Sequence, residues 1–423
     1  MTDAKKPTSA KRAPLIGGGL IGNILEWYDF TVYGFFAATL GKLFFPSAQP
    51  GVSLIAAFGV YAAGFLMRPL GGVVFGYVGD LVGRKRVLTV TVALMAVSTT
   101  LIGVLPTYAE IGIAAPLLLL LLRIVQGLAA AGEMPGSFVY LIESGPDDER
   151  GVFGSITLLG AFLGILAGSA LGALITGSVS GAALEGWAWR LPFLAGSVLG
   201  IVGLALRRKL QELPPLGEPA ASPVVEVIKT CRRELLQGFG IVLVFGVSFV
   251  LMFVYIVTWL RQQTHEPQAE ILATNSISMV VLVAVTLAAA KLSDGIGRKP
   301  LLLFASAGLT AFAYPLLWLM HHDSLAMILC GQLGFALFIG AISGVMPATL
   351  GELFPRRVRV SAVALGYNVP MALFSGTAPL VGAWLVTTTG DAMAIAWYLM
   401  VVGLLGLTTA LTLRETKGAA LAS

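Results

Sequence analysis

Charge is scarce in this sequence. Asp, Glu, Lys and Arg together supply 12% of 423 residues, roughly half the share carried by an ordinary soluble domain. That excludes a water-soluble globule with a charged surface. Cysteine and histidine are rarer still. Cys231 and Cys330 are far apart and form no metal-ligand spacing, so neither a zinc site nor a disulfide framework is implied. The three histidines, His265, His321 and His322, fall in connections between apolar runs. A membrane enzyme would need a nucleophile–base pair or metal constellation within those runs. Nucleotide motifs are missing as well. Gly17-Gly-Gly19-Leu-Ile-Gly22 fits a dinucleotide pattern but opens an apolar segment with no strand before it. Gly41-Lys42 is followed by Leu, which excludes a phosphate loop, and His265-Glu266 has no second histidine for a zinc protease.

Apolar sequence is what remains. Hydrophobic residues make up 57% and mean hydropathy is +0.88, in runs long enough to cross a bilayer at about 20 residues each. The reading is an all-α polytopic membrane protein with twelve spans, near 15–38, 52–78, 87–105, 112–142, 151–176, 191–206, 236–260, 270–290, 300–320, 325–349, 360–387 and 391–413. The basic N-terminus (Lys5, Lys6, Lys11, Arg12) opens like a signal peptide, yet the apolar stretch contains Glu26 and Asp29 and runs on, so it is a retained first span. Residues 207–235 hold the one long polar interval and read as a linker between halves 1–206 and 236–423. Net charge is +5, but Lys and Arg collect in even-numbered connections and both tails. That placement points to a lipid bilayer rather than nucleic acid, with both termini cytoplasmic in a bacterial-type inner membrane.

Two motifs recur in order at about half the chain length. Asp80-Leu-Val-Gly83-Arg84-Lys85 returns as Asp294-Gly-Ile-Gly297-Arg298-Lys299, and Glu143-x-x-Pro-x-x-x-Arg150 returns as Glu352-x-x-Pro-x-x-x-Arg359. Each copy sits at the matching boundary of its half, so a six-plus-six duplication explains them best. Gly83 and Gly297 permit a tight turn, and these residues together are candidates for a cytoplasmic gate.

The duplicated loop resembles the signature of the major facilitator superfamily. Gly22-Asn-x-x-Glu26-Trp-Tyr-Asp29-Phe, Arg68-Pro-Leu-Gly-Gly, Arg123-x-x-Gln126-Gly127 with Gly132-Glu133, and Trp189-Arg190-x-Pro-Phe resemble its metabolite:proton symporter branch. That branch contains proline/betaine, 2-oxoglutarate, citrate and shikimate transporters. The resemblance implies two six-helix bundles around a central site, proton-driven uptake, protons as the coupling ion with no other cofactor, and a monomer. A few residues follow Lys417, so the long C-terminal coiled coil of some osmosensing members is not expected.

Residue positions support the same chemistry. Glu26 and Asp29 are three apart and share a helix face. Arg68 lies about ten residues, or about 15 Å, inside its span, and Arg123 is comparably deep. Charges at that depth are expensive and functional by default. Asp29 opposite Arg123 is expected to carry the proton, as the acid–arginine pair of related sugar transporters implies. Glu26 orients Arg68 or binds substrate, and Glu133 lies farther toward the cytoplasm. Arg68 and Arg123 suit a substrate carboxylate, which a guanidinium grips bidentately. Tyr33, Tyr255, Trp259, Gln332, Tyr367 and Asn368 are candidates to complete the site, and Pro347 and Pro370 to break their helices. The expected substrate is a small organic acid or zwitterion. An uncoupled facilitator and a proline/betaine-type osmolyte transporter are the alternatives.

Overall fold

Lipid offers no partner for an unbonded N–H or C=O, which leaves apolar spans little choice but the helix. The computed structural model describes residues 9–48, 50–210, 223–418 and 421, and the regular elements among them are all helices. Twelve long helices follow in order. They are α1 (Ser9–Phe35), α2 (Pro50–Leu66 continued by Arg68–Val82), α3 (Arg84–Val104), α4 (Ala114–Ser144), α5 (Arg150–Ser178) and α6 (Arg190–Arg208). After the polar interval come α7 (Arg232–Phe249, then Val250–Tyr255 and Ile256–Gln263), α8 (Gln268–Ile296), α9 (Lys299–Met320), α10 (Leu325–Leu353), α11 (Arg359–Pro370, Met371–Ser375, Ala378–Thr389) and α12 (Ala394–Thr412). Eleven of these are long and apolar enough to cross a membrane. The twelfth is α1, whose apolar stretch is diluted by Asn23, Glu26 and Asp29.

Packing divides the chain into two units, Met1–Ser144 with Ile156–Ala221 and Gly145–Ser155 with Ser222–Ser423. Each is built around its fourth long helix. Every residue of α4 from Ala129 to Ile142 is buried, and so is every residue of α10 from Phe338 to Gly351. A helix buried on all faces is the centre of its bundle. The outward faces are apolar instead of charged, with Ile55 73% and Leu380 71% exposed, as lipid-facing surfaces require.

Three expectations need correcting. The polar interval between the bundles is shorter than 207–235, because α6 extends to Arg208 and α7 starts at Arg232, with a helix over Pro223–Thr230 before it. Arg207 is therefore not in the linker; it is fully buried on α6. Pro347 does not break its helix, since α10 runs unbroken from Leu325 to Leu353. Pro370 does mark a change, because a π-helical turn, Met371–Ser375, begins immediately after it. A second π-helical turn, Val250–Tyr255, interrupts α7 without any proline.

Both repeat glycines make the turn anticipated for them. Gly83 has φ 99° and Gly297 φ 107°, in the left-handed region where a side chain would be strained.

Candidate functional site

In the first unit, α1 presents Gly22, Glu26 and Asp29 along one face, spaced by four and three residues. Each position meets a buried ion pair. Asp29 Oδ2 accepts from Arg123 Nη1 of α4 at 2.7 Å, and its Oδ1 accepts from Thr99 Oγ1 of α3 at 3.0 Å. Gln126 closes this ring, accepting from Arg123 at 2.8 Å and donating to Thr99 at 2.9 Å. One turn away, Glu26 Oε1 accepts from Arg68 Nη2 of α2. Beside Gly22, Glu133 of α4 pairs with Arg207 of α6 and accepts from Thr91 at 2.7 Å and Ser137 at 3.2 Å. All three acids and all three arginines are fully buried. Buried charges at this depth survive only when paired.

The pairing is incomplete on the arginine side. Arg68 Nε and Nη1, Arg123 Nε and Nη2, and Glu26 Oε2 have no hydrogen-bond partner among the described residues. A guanidinium has five N–H donors in a fixed fork, so each arginine retains capacity for a second carboxylate.

Aromatic rings pack on the same guanidiniums. Phe30 has Arg123 at 4.8 Å and Arg68 at 5.1 Å from its centroid; Tyr33 has Arg123 at 4.3 Å. From α2, Phe65 has Arg68 at 4.9 Å and Tyr61 has Arg123 at 5.4 Å. These distances lie within cation–π range.

The second unit holds its own candidates. Tyr255 ends the π-helical turn of α7. Gln332 accepts from Ser278 at 3.0 Å and lies 3.5 Å from Asn275, which itself donates to Phe253 O at 3.2 Å. Tyr367 and Asn368 are buried on α11. Trp259 donates to Ala392 O at 3.1 Å, which ties it to the connection before α12.

The repeat motif of the second unit builds one network. Arg298 donates to Glu352 at 3.0 and 3.3 Å and to Asp294 at 2.7 Å. Asp294 also accepts from the backbone N–H groups of Gly151 and Val152 at 2.8 and 3.1 Å, capping the start of α5. Arg150 approaches Glu352 at 3.9 Å, and Thr416 donates to Glu352 at 2.5 Å. Glu415 accepts from the backbone N–H groups of Arg298 and Lys299 at 2.9 and 3.0 Å. Arg359 donates from Nε to Phe354 O at 3.1 Å, and Glu143 is half-buried. The side chains of Asp80 and Arg84 lie outside the described residues.

Sequence reasoning missed several members. Thr91, Thr99 and Ser137 look like ordinary small polar residues of an apolar span. Arg207 hides in the basic run Arg207-Arg208-Lys209, and Phe30, Tyr61 and Phe65 are indistinguishable from lipid-facing aromatics.

Comparison with known proteins adds four observations. The profile described as Major Facilitator Superfamily matches residues 19–366. A glycine betaine/proline/ectoine/pipecolic acid transporter, OusA, of Dickeya dadantii is 36% identical over 95% of this chain and 83% of its own. A proline/betaine transporter of Escherichia coli K12 is 36% identical over 94% of this chain and 82% of its own. The proton:xylose symporter XylE superposes with TM-score 0.77 over 98% of both chains at 18% identity, a likeness of fold.

Proposed function

Because the chain belongs to the Major Facilitator Superfamily, we propose that this membrane transporter takes up a small zwitterion of the proline/betaine kind together with a proton. Helices α1–α6 and α7–α12 are the two bundles of an alternating-access carrier in a bacterial inner membrane, with both termini cytoplasmic.

The observation that carries this reading is the pair of buried arginines with donors to spare beside two buried acids. Glu26, Arg68, Asp29 and Arg123 sum to zero formal charge. The choice of a zwitterion over an organic anion rests on the relatives, which are transporters of proline and betaines. The substrate carboxylate takes N–H donors of Arg123 and draws that guanidinium from Asp29. An acid stripped of its counter-ion in a buried site takes a proton instead of standing charged. Substrate and proton therefore load together, and release of both restores the Arg123–Asp29 pair. Thr99 and Gln126 hold Asp29 in place while its partner moves.

Asp29→Asn tests the coupling. The variant is expected to lose proton-driven accumulation of proline and glycine betaine while keeping exchange counterflow in proteoliposomes. Loss of counterflow too, in folded protein, would make the pair a structural staple. Retained accumulation would move the proton to another acid.

A further inference from the structure

We infer that the rings of Phe30, Tyr33, Tyr61 and Phe65 are the seat of the substrate's positive end, taking a quaternary ammonium where a guanidinium now lies. This rests on the reading above that the substrate is a zwitterion held by its carboxylate.

A quaternary ammonium has no N–H, so no carbonyl or hydroxyl can hold it by hydrogen bonding. Only diffuse negative potential serves, and the faces of aromatic rings supply it. This site has such faces, and cations already lie on them at 4.3 to 5.4 Å. The rings are fixed in place. Tyr33 donates its hydroxyl to Ala57 O at 3.0 Å. Phe30 meets Phe65 at 4.6 Å and Tyr61 edge-on at 5.7 Å, while Tyr61 and Phe65, one helical turn apart on α2, meet at 5.3 Å.

The carboxylate and ammonium sites are linked through the arginines. Nε and Nη1 of Arg68 and Nε and Nη2 of Arg123 are unpartnered although fully buried. A carboxylate that engages them pulls the guanidinium from its ring face, and the substrate's own cation, two bonds away, fills the face left behind. Glu26 Oε2, buried and unpartnered, is an acceptor for a substrate ammonium that does carry N–H, so a secondary ammonium depends less on the rings.

The test compares glycine betaine with 3,3-dimethylbutanoate, which has the same shape with carbon in place of the charged nitrogen. Binding to purified wild-type protein is expected to favour glycine betaine by at least about tenfold, the scale of one desolvated cation–π contact. Phe65→Leu and Tyr61→Leu should each erode that preference several-fold, Phe65→Tyr should keep it, and proline binding should change less. Equal binding of the two compounds by wild type overturns the assignment without any variant. A preference that survives both leucine substitutions in folded protein overturns it as well, and leaves the zwitterion reading standing. Failure of wild type to bind either glycine betaine or proline overturns both.

Discussion

Gly22 and Glu133 are so close that no side chain fits between them: a Cβ on Gly22 would stand 1.9 Å from Glu133 Oε1 and 2.4 Å from Arg207 Nη2. The glycine of the Gly22-Asn-x-x-Glu26 motif is therefore the floor of an ion pair. Gly22→Ala should push Glu133 from Arg207 and lower stability by about 1–3 kcal/mol, the usual cost of overpacking. The double variant Gly22→Ala/Glu133→Asp, with its shorter acid, should regain part of it. A thermal-shift assay reads both, and an unchanged Gly22→Ala melting temperature would refute the close approach.

The Glu133–Arg207 pair itself should show the asymmetry of buried charges. Removing one partner strands the other and costs about 3–5 kcal/mol, while replacing both by apolar residues of similar volume is near neutral. Glu133→Met and Arg207→Met should each destabilise strongly and Glu133→Met/Arg207→Met much less. A double variant as unstable as the sum of the singles would show that the two do not act as a pair.

Asp294 caps α5 from outside that helix, through Gly151 and Val152. Asp294→Ala should cost about 1 kcal/mol or more, as loss of a cap does. Asp147 also pairs with Arg150, but its side chain is 88% exposed, so Asp147→Asn should change stability by less than about 0.5 kcal/mol. Equal effects of the two substitutions in denaturation of the purified protein would contradict the cap.

Glu415 gives a pH dependence with a definite sign. Burial pushes its carboxyl up, but backbone N–H bonds from Arg298, Lys417, Lys299 and Thr416 outweigh burial and hold it below its ordinary 4.5. A group depressed in the folded state stabilises above its unfolded value and loses that contribution as pH falls through the folded one. The melting-temperature gap between wild type and Glu415→Gln should thus be constant above about pH 5 and close as pH drops below 4.5. A gap that persists unchanged into acid would show that the charge is not what the four N–H groups hold.

Much of this was legible in the sequence because lipid simplifies the code. Apolar length gave the spans, and the three-residue spacing of Glu26 and Asp29 placed both acids on one face before any coordinates. Depth alone pointed to Arg68 and Arg123. What stayed hidden depends on the third dimension. Arg207 reads as one more basic residue at a helix end, and only packing shows it turned inward to Glu133. The rings on the arginines carry no signal in a chain where aromatics are common on every surface. Asp294 was recognisable as a motif residue, but its partners are backbone groups of α5, and backbone has no sequence. Pro347 misled for a related reason: a proline removes one hydrogen bond, and surrounding packing in the wholly buried stretch of α10 keeps the helix continuous.

The stacking of charge along α1 has one more consequence, for sliding. Displacing α1 by one turn, about 5.4 Å, toward its own N-terminus would bring Glu26 to the level of Gly22 and set two carboxylates, Glu26 and Glu133, face to face. The opposite slip would leave Arg68 looking at a glycine. Both faults bury unmatched charge, so α1 has a single register, and the order small residue, acid, acid works as a lock against its neighbours ratcheting past it.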